Sequence, residues 1–516
     1  MQPWWRDAVV YEIYVRSFAD GDGDGVGDLE GVRSRLPHLV ELGVDAVWLT
    51  PFYRSPMADH GYDVADYTDV DPLFGDLAAF DRLLADAHAA GLRVIVDVVP
   101  NHTSVAHPWF QEALADPASP SRGRYVFRDG RGPGGEEPPN NWSSVFGGRA
   151  WTRESPDGQW YLHLFDSSQP DLDWHHPDVP AEMLRVLRFW LDRGVDGFRI
   201  DVAHSLFKNP DLTDVPAGTT NSIDSRHVWD RDEVLALYEQ WREVVDGYDG
   251  DRMMVGEVFL FDIERVARYA TATRLHQAFN FTVMLAPWDA AALRDVVEAG
   301  LKHLSAPTWV LSNHDLPRHV TRFGGGDLGR RRGLAVTALL LALPGSTYLY
   351  QGEELGLDEA DVPEHLRQDP IWVRMGGPLP GRDGCRTPIP WEAEAPGLGF
   401  TTGDPWLPFG ADAAERAVDR QRGDDTSTMA AYRRLLAARE ELVAQGDTAE
   451  VLDLGPDVVG VRRGEAVAVL STADEPVELE LTGEVIAATA DGAKVADGRL
   501  TVPAASTVWL RTRTPA

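Results

Sequence analysis

Eight short runs of apolar, mostly β-branched residues recur along the chain, and longer segments of helical period separate them. This alternation is typical of parallel βα units, because parallel neighbours need a crossover that is usually a helix. Eight units in one chain predict an α/β fold of the (β/α)8 TIM barrel type. The predicted strands are Val9–Phe18, Ala46–Thr50, Arg93–Pro100, Gly197–Val202, Met253–Phe259, His276–Met284, Thr308–Asn313 and Ser346–Gln351.

Amphipathic segments between these runs supply the crossover helices. Gly43, Gly91 and Gly194 stand where helix C-caps should fall, since glycine tolerates the left-handed conformation that ends many helices. A last helix, Ser427–Glu441, would close the barrel. The other predicted helices include Leu77–Ala90, Ala181–Arg193, Asp232–Val245 and Asp289–Leu304.

Two long irregular regions interrupt the alternation and predict insertions. Residues 104–173 follow the third strand and residues 355–425 follow the eighth, so both would hang over the same mouth of the barrel. Long irregular insertions in a compact domain usually carry function. Residues 442–516 have little helical period and predict a C-terminal antiparallel β domain, a β-sandwich. The predicted catalytic barrel is therefore 1–103 and 174–441.

The charge and cysteine content exclude several classes of partner. The formal net charge of −34 would repel nucleic acid and anionic membranes, and it fits a neutral substrate such as a sugar. Cys385 is the only cysteine, so no internal disulfide is possible. The sequence has no apparent signal peptide and no run of about 18 apolar residues. A cytoplasmic protein without membrane contact is expected, and its oligomeric state stays open.

Polar functional groups stand at the ends of four of the predicted strands, in chain order. A carboxylate, histidine or arginine at the end of a buried strand is costly unless it is paired or exposed in a cleft. In a (β/α)8 barrel these ends meet at one rim, so the sequence predicts a site built from the loops at that rim. The four segments are Asp97–His102, Gly197–Asp201, Gly256–Phe259 and Leu311–Asp315.

An acidic loop after the first strand predicts a metal site. Oxygen ligands at alternate positions resemble the start of an EF-hand, with Gly25 for the tight turn. Gly31 stands where the bidentate glutamate of an EF-hand would be, so the motif is incomplete. We expect structural Ca²⁺, or Mg²⁺ in the same place; the alternative is a metal-free acidic turn. The expected ligands are Asp20, Asp22, Asp24, the carbonyl of Val26, and Asp28.

These segments resemble, in order, the motifs of the α-amylase superfamily of retaining α-glycoside hydrolases and transglycosylases, glycoside hydrolase family 13. The resemblance runs from about Trp5 to the C-terminal β domain. It implies that Asp201 is the nucleophile, that Glu257 is the general acid/base, and that Asp315 is the third acid, which binds sugar hydroxyls. Taken alone, Asp201 with Arg199 would equally suit a structural ion pair.

The chemistry constrains the ionisation of these groups. Asp201 attacks only as a carboxylate, and Arg199, on the same face of the strand, is expected to keep its pKa low. Glu257 must donate a proton, so its pKa should be raised. Retaining chemistry needs the two carboxyl groups about 5–5.5 Å apart, which neighbouring barrel strands can provide.

Further motifs resemble the α-glucosidase and oligo-1,6-glucosidase subgroup, whose calcium loop also matches residues 20–28. By this resemblance Asp59 binds the terminal glucose, Tyr62 stacks on its ring, and Arg382 pairs with Asp59 to close the pocket. Gly384 and the pair Ile389-Pro390 depart from the subgroup pattern around Arg382. The resemblance also implies that His102 and His314 donate hydrogen bonds to sugar hydroxyls.

A closed pocket favours a retaining exo-α-glucosidase that acts on α-glucoside disaccharides and short oligosaccharides. The same covalent intermediate would also serve a glucosyltransferase, isomerase or phosphorylase. A non-catalytic relative is disfavoured because all three acids are present. Val202 occurs in many α-1,6-acting relatives and the loop 203–231 is unusual, so both α-1,4 and α-1,6 linkages stay open. No organic cofactor is expected.

Other residues are expected to be structural. The segment Gln351–Glu354 is interpreted as framework salt bridging, and Cys385 as a small packed residue. The aromatic side chains of the first insertion are candidates for the pocket wall or for its core, namely Trp142, Phe146 and Trp151.

Overall fold

The computed structural model describes residues 2–216, 226–377 and 379–512. Eight parallel strands form its central sheet, namely β1 (Val9–Ile13), β2 (Ala46–Leu49), β3 (Arg93–Val98), β4 (Gly197–Ile200), β5 (Met253–Gly256), β6 (Gln277–Ala278), β7 (Thr308–Val310) and β8 (Ser346–Tyr350). Their order in the sheet is β6-β5-β4-β3-β2-β1-β8-β7. The predicted (β/α)8 barrel is confirmed.

A side chain joins β6 to β7. The hydroxyl of Thr308 accepts a hydrogen bond from the backbone N–H of Asn280 at 3.2 Å and donates to the carbonyl of Ala278 at 2.8 Å. The other neighbouring strands pair through their backbones. This seam therefore depends on one threonine hydroxyl.

Long helices surround the sheet. All five helices predicted from the sequence are present, and their ends lie within three residues of the predicted ends. Gly43 and Gly194 are left-handed C-caps, with φ of 91° and 102°. The longer helices are Leu77–Ala89, Asp178–Arg193, Glu233–Asp246, Ala290–His303, Gly326–Ala342 and Thr428–Val443. The shorter ones in the barrel are Trp4–Arg6, Val15–Phe18, Leu29–Ser34, Leu36–Leu42, Ile263–Ala267, Phe281–Leu285 and His319–Arg322.

All eight predicted strands run past the observed ends, and two of them do so by five or six residues because side chains end those strands early. After β1 the N–H groups of Tyr14 and Val15 bond the side chains of Gln351 and Thr50, and the chain then turns into the helix Val15–Phe18. After β6 the Asn280 side chain caps the helix Phe281–Leu285 by accepting from Thr282. In both places the backbone leaves the sheet at the rim that carries the loops.

The first insertion is a small unit on top of β3. Its helices are Pro108–Ala115, Pro120–Arg124 and Pro133–Gly135, and its strands are Phe127–Arg128, Trp151–Thr152 and Trp160–Leu162. Trp142 and Trp151 are buried in an apolar cluster that also includes Val228 and Trp229 of the loop after β4.

A buried lysine ties this insertion to the barrel. The ammonium of Lys208 lies 2.8 Å from Asp171 of the insertion and donates to the Asn101 side chain and, at 2.7 Å, to the carbonyl of Ser205. Lys208 is 6% exposed and Asp171 is fully buried. The contact crosses from the insertion to the loops after β3 and β4.

In its described residues the second insertion has only short helices, namely Glu364–Leu366, Pro370–Met375, Asp383–Arg386, Pro396–Gly399 and Val418–Arg422. A hairpin of Tyr53–Arg54 and Asp66–Val70 follows β2. The helix Pro370–Met375 reaches the first insertion, where Arg374 lies 3.2 Å from Asp166 and donates to the Gly147 carbonyl. The two insertions therefore meet above the barrel.

The C-terminal part is antiparallel, as predicted, and its last four residues lie outside the described ones. A five-stranded and a three-stranded sheet enclose an apolar core. Trp509 and Thr507 donate to carbonyls of the helix Gly326–Ala342, at 3.0 and 2.7 Å. The strands are Glu450–Leu452, Val458–Arg463, Ala466–Ser471, Val477–Leu479, Gly483–Ala488, Lys494–Ala496, Arg499–Val502 and Ser506–Thr512. The residue limits given above for the domains stay predictions.

No helix in the described parts of the chain combines the length and apolar character needed to cross a bilayer.

Candidate active site

Arg199 holds three carboxylates together at the rim of the barrel. Its Nη1 donates to Asp97 Oδ1 at 2.9 Å and to Asp201 Oδ1, and its Nη2 donates to Glu257 Oε2 at 2.8 Å. The register of β3, β4 and β5 brings these residues side by side. Asp201 and Glu257 therefore accept hydrogen bonds from different Nη atoms of the same guanidinium. Arg199 itself is 1% exposed and lies beneath the cavity without lining it.

Burial dominates the ionisation of Asp201. It raises the pKa of this carboxyl well above the usual range, although Arg199 acts to lower it. The expectation of a low pKa is therefore wrong for the net shift, because Glu257 and Asp97 add negative charge to a desolvated site. Burial likewise raises the pKa of Asp97 to about 6.

Val202 adopts a strained backbone next to Asp201. Its φ is 40°, a left-handed value that is rare for a β-branched residue. The turn directs the N–H of Val202 to Glu257 Oε2 at 2.9 Å. Glu257 Oε2 therefore accepts from both Val202 and Arg199, and its position depends on this turn.

Arg382 forms one wall of the site. As the resemblance implied, its Nη2 donates to Asp59 Oδ1, at 2.7 Å. Its Nη1 donates to Asp315 Oδ1 at 3.0 Å and its Nε to Asp369 Oδ2 at 2.6 Å. Arg386 adds a second bond to Asp315 Oδ1, at 3.0 Å. The His314 imidazole and the guanidinium groups of Arg382 and Arg386 lower the pKa of Asp315, whose side chain is 27% exposed.

His314 and Tyr62 form an aromatic layer behind these acids. The Tyr62 ring stacks on His314 at 5.2 Å, and its hydroxyl lies 3.3 Å from Asp97. His314 Nε2 lies 3.2 Å from Asp315 Oδ2, and Nδ1 contacts Glu12. Burial holds the pKa of His314 well below its ordinary value, so it is neutral near pH 7.

One cavity collects most of the predicted residues. Its polar side includes Asp59, Tyr62, His102, Asp201, Glu257, His314, Asp315 and Arg382. Its apolar wall includes Phe146, Phe165, Trp229, Phe259 and Phe281. The aromatic residues of the first insertion were expected in the pocket wall or in the core, and both occur. Phe146 lines the cavity, whereas Trp142 and Trp151 lie in the core.

Sequence reasoning assigned no role to three acids that support the site. Asp97 contacts Arg199, Glu12 contacts His314, and Asp369 contacts Arg382. Glu12 interrupts the apolar run of β1, which was a usable signal. Asp369 lies in an irregular insertion, where no periodic pattern marks it.

The residues set aside as structural have partners away from the cavity. Gln351 accepts from Tyr14 N, Glu353 accepts from Tyr350 N, and Glu354 accepts from the Tyr11 hydroxyl. Cys385 is 1% exposed and its Sγ lies 3.3 Å from the His314 carbonyl. These contacts therefore stabilise the chain around the end of β8.

In the acidic loop, carboxylate oxygens of Asp20, Asp22 and Asp28 lie within 4.8 Å of one another. Asp24 lies outside this group, and its Oδ1 accepts from Val26 N at 2.8 Å. Hard oxygen ligands at this spacing suit a divalent cation.

A (β/α)8 barrel with paired carboxyl groups at its loop-bearing rim defines a class of enzymes that act on glycosidic bonds. A profile of the alpha amylase catalytic domain matches residues 12–446. The chain belongs to the alpha-amylase family.

Individual relatives extend this similarity over most of the chain. A probable alpha-glucosidase of Rhizobium meliloti is 42% identical over 85% of this chain and 82% of its own length. An oligo-1,6-glucosidase of Parageobacillus thermoglucosidasius is 37% identical over 85% and 84%. Among solved structures, an alpha-glucosyl transfer enzyme is 41% identical, with a TM-score of 0.92 over 99% of this chain and 100% of that one.

Proposed function

We propose that this protein is a retaining, exo-acting α-glucosidase that releases terminal α-D-glucose from disaccharides and short oligosaccharides. The observation that carries the proposal is that Asp201 and Glu257 both form ion pairs with Arg199. They do so in a pocket that the Arg382–Asp59 ion pair bounds on one side. Two relatives, a probable alpha-glucosidase and an oligo-1,6-glucosidase, support the substrate class.

In the first half-reaction Asp201 attacks the anomeric carbon while Glu257 protonates the leaving oxygen. In the second half-reaction Glu257 takes a proton from water, which attacks the glucosyl–Asp201 ester and gives back the original anomeric configuration. Arg199 touches both carboxyl groups, so it orients the pair and stabilises negative charge on whichever is ionised.

Asp315, held ionised by Arg382 and Arg386, binds hydroxyls of the glucose ring and stabilises the positive charge that develops on it. Asp59, Arg382, His102 and His314 bind the remaining hydroxyls. Because the Arg382–Asp59 pair ends the pocket on one side, a sugar chain cannot pass through. Cleavage is therefore at a chain end.

The test is a set of initial rates on maltose, isomaltose, sucrose, trehalose and soluble starch, with free glucose and new oligosaccharides followed together. Short α-glucosides should release glucose and starch should be a poor substrate. ¹H NMR should detect the α-anomer first. The D201A variant serves as the inactive control. Rapid cleavage inside starch, or release of β-glucose, would overturn the proposal.

Glucosyl transfer is the second candidate function, and the solved alpha-glucosyl transfer enzyme at 41% identity favours it. Transfer uses the same Asp201 ester, with a sugar hydroxyl in place of water. Oligosaccharides that accumulate faster than free glucose would assign transfer as the main reaction. The linkage choice between α-1,4 and α-1,6 is read from the same rates.

We further propose that Asp20, Asp22 and Asp28, with Asp24 and the Val26 carbonyl, hold a structural Ca²⁺ or Mg²⁺. The three mutually close carboxylates support this, since a cation would offset their repulsion. Bound metal would stabilise the loop after β1. Added Ca²⁺ should raise the melting temperature of chelator-treated protein, and D22N should lose this response. An unchanged melting temperature would favour the metal-free turn.

We also propose a cytoplasmic location, which the single, buried Cys385 supports. Cell fractionation with an antibody against the protein tests it. Recovery in the culture medium would contradict it.

A further inference from the structure

Arg16 is a buried arginine without an ion-pair partner among the described residues. It is 7% exposed, and no described carboxylate lies within 4.0 Å of its guanidinium. In the same part of the chain, its Nε and Nη1 find no hydrogen-bond acceptor. A buried, unpaired guanidinium is strongly disfavoured, because it has lost its hydration and gained no counter-ion. This position therefore calls for a ligand.

The nearest protein groups do not meet this need. Asp63 and Asp24 are its electrostatic neighbours, but the Asp63 oxygens accept from Ser55, Ala58 and Asp59. The guanidinium lies over the Trp406 ring, at 4.4 Å from the centroid. A cation–π contact of this kind is weaker than the desolvation of a buried charge.

Other unsatisfied donors surround the same indole. Among the described residues, the hydroxyl of Tyr14 and both ring nitrogens of His60 are buried without a hydrogen-bond partner. Nη1 of Arg386 also lacks one, although it lies 3.8 Å from Asp369 Oδ2. The His60 and Tyr14 rings lie 5.4 and 6.3 Å from Trp406, and the Arg386 guanidinium lies 5.2 Å from the Tyr14 ring. Burial and nearby arginines hold the pKa of His60 well below its ordinary value, so it offers one N–H donor.

We propose that Arg16, Tyr14, His60 and Arg386 bind a small monovalent anion, of the size and charge of chloride, beside Trp406. The unpaired groups are mainly hydrogen-bond donors, which select an anion. A single negative charge suffices, because Arg386 already contacts Asp315 and only Arg16 lacks a counter-ion. Divalent anions would leave an excess buried charge.

The anion would connect three loops of the barrel mouth, those after β1, β2 and β8. Arg386 couples it to the sugar pocket, because Nη2 of the same guanidinium holds Asp315 at 3.0 Å. Bound anion should therefore stabilise the fold and keep Asp315 in place. The first effect does not depend on the proposed catalytic activity, so the two proposals can fail separately.

The first experiment measures the melting temperature of the full chain in sodium chloride, sodium bromide and sodium gluconate at equal ionic strength. Both halides should raise the melting temperature with a saturable dependence, because they bind the folded protein only. R16M should lose this dependence. Equal curves in all three salts would overturn the proposal, and would indicate water in the site.

A matched control is R35M. Arg35 lies over Trp391 at 4.6 Å, much as Arg16 lies over Trp406, but it donates to the Gly399 carbonyl and lies 3.7 Å from Glu392. R35M should keep the halide response. Loss of the response in R35M as well as in R16M would contradict the assignment to Arg16.

A second experiment needs no variant to fold. Anomalous diffraction from wild-type crystals soaked in bromide should give a peak within hydrogen-bond distance of Arg16 and Tyr14. As an addition to the melting-temperature series, Y14F, which removes one donor and keeps the ring, should raise the halide concentration for half-maximal stabilisation. A site without a bromide peak, or one that contains only water, would overturn the proposal.

Discussion

Lys208 provides a direct test of how the first insertion is held on the barrel. The K208M variant removes a buried ammonium and leaves the Asp171 carboxylate without its cation. Removing one member of a buried ion pair costs about 3–5 kcal/mol, because the other charge stays desolvated. Unfolding entropy is about 2.1 cal/mol/K per residue, so over a catalytic unit of about 440 residues this cost lowers Tm by about 3–5 °C.

The assay is calorimetric unfolding together with limited proteolysis of the first insertion. K302M is the matched control, because Lys302 is an exposed lysine on a helix and should unfold like wild type. Adding D171N to K208M should recover part of the loss, since the unpaired charge is then gone. A K208M protein that melts at the same temperature as both wild type and K302M would refute the reasoning.

Three further predictions concern the sugar pocket. D201A should lower kcat by about 10⁴-fold or more, measured on the best disaccharide, and a near wild-type rate would remove the nucleophile assignment. R382M should lower kcat/KM by about 10²–10³-fold, since Asp59 and Asp315 lose a shared counter-ion; an unchanged kcat/KM would contradict this. Burial raises the pKa of Asp59 to about 6, so a fall in pH through 6 protonates it, weakens its pairing with Arg382 and raises KM. D59N should flatten this pH profile, and a profile that persists would assign the titration to another group.

The barrel was predictable from the sequence because hydrophobic periodicity and residue composition indicate its helices and strands. The helix Asp178–Arg193 carries its apolar stripe and a terminal glycine in the sequence itself. The ends of β1 and β6 were not predictable, since side chains of distant residues such as Gln351 and Thr308 terminate or bridge those strands. Contacts of this kind leave no local pattern.

The site was predictable where motifs stand at strand ends, and less so elsewhere. Asp201, Glu257 and Asp315 follow apolar runs, so their convergence on one rim follows from the topology. Asp369 and the unpaired state of Arg16 depend on how an irregular insertion folds back over the mouth. The raised pKa of Asp201 also needed the structure, because it results from burial that no pair of residues reveals.

The left-handed turn at Val202 sets stability against catalytic geometry. A glycine there would adopt the same φ without steric strain, so V202G should relax the native chain at this point. The freed peptide would then rotate away from Glu257, and the proposed proton donor would lose one of the two groups that fix it. The strained backbone of this one valine therefore sets the aim of a carboxyl group on the neighbouring strand.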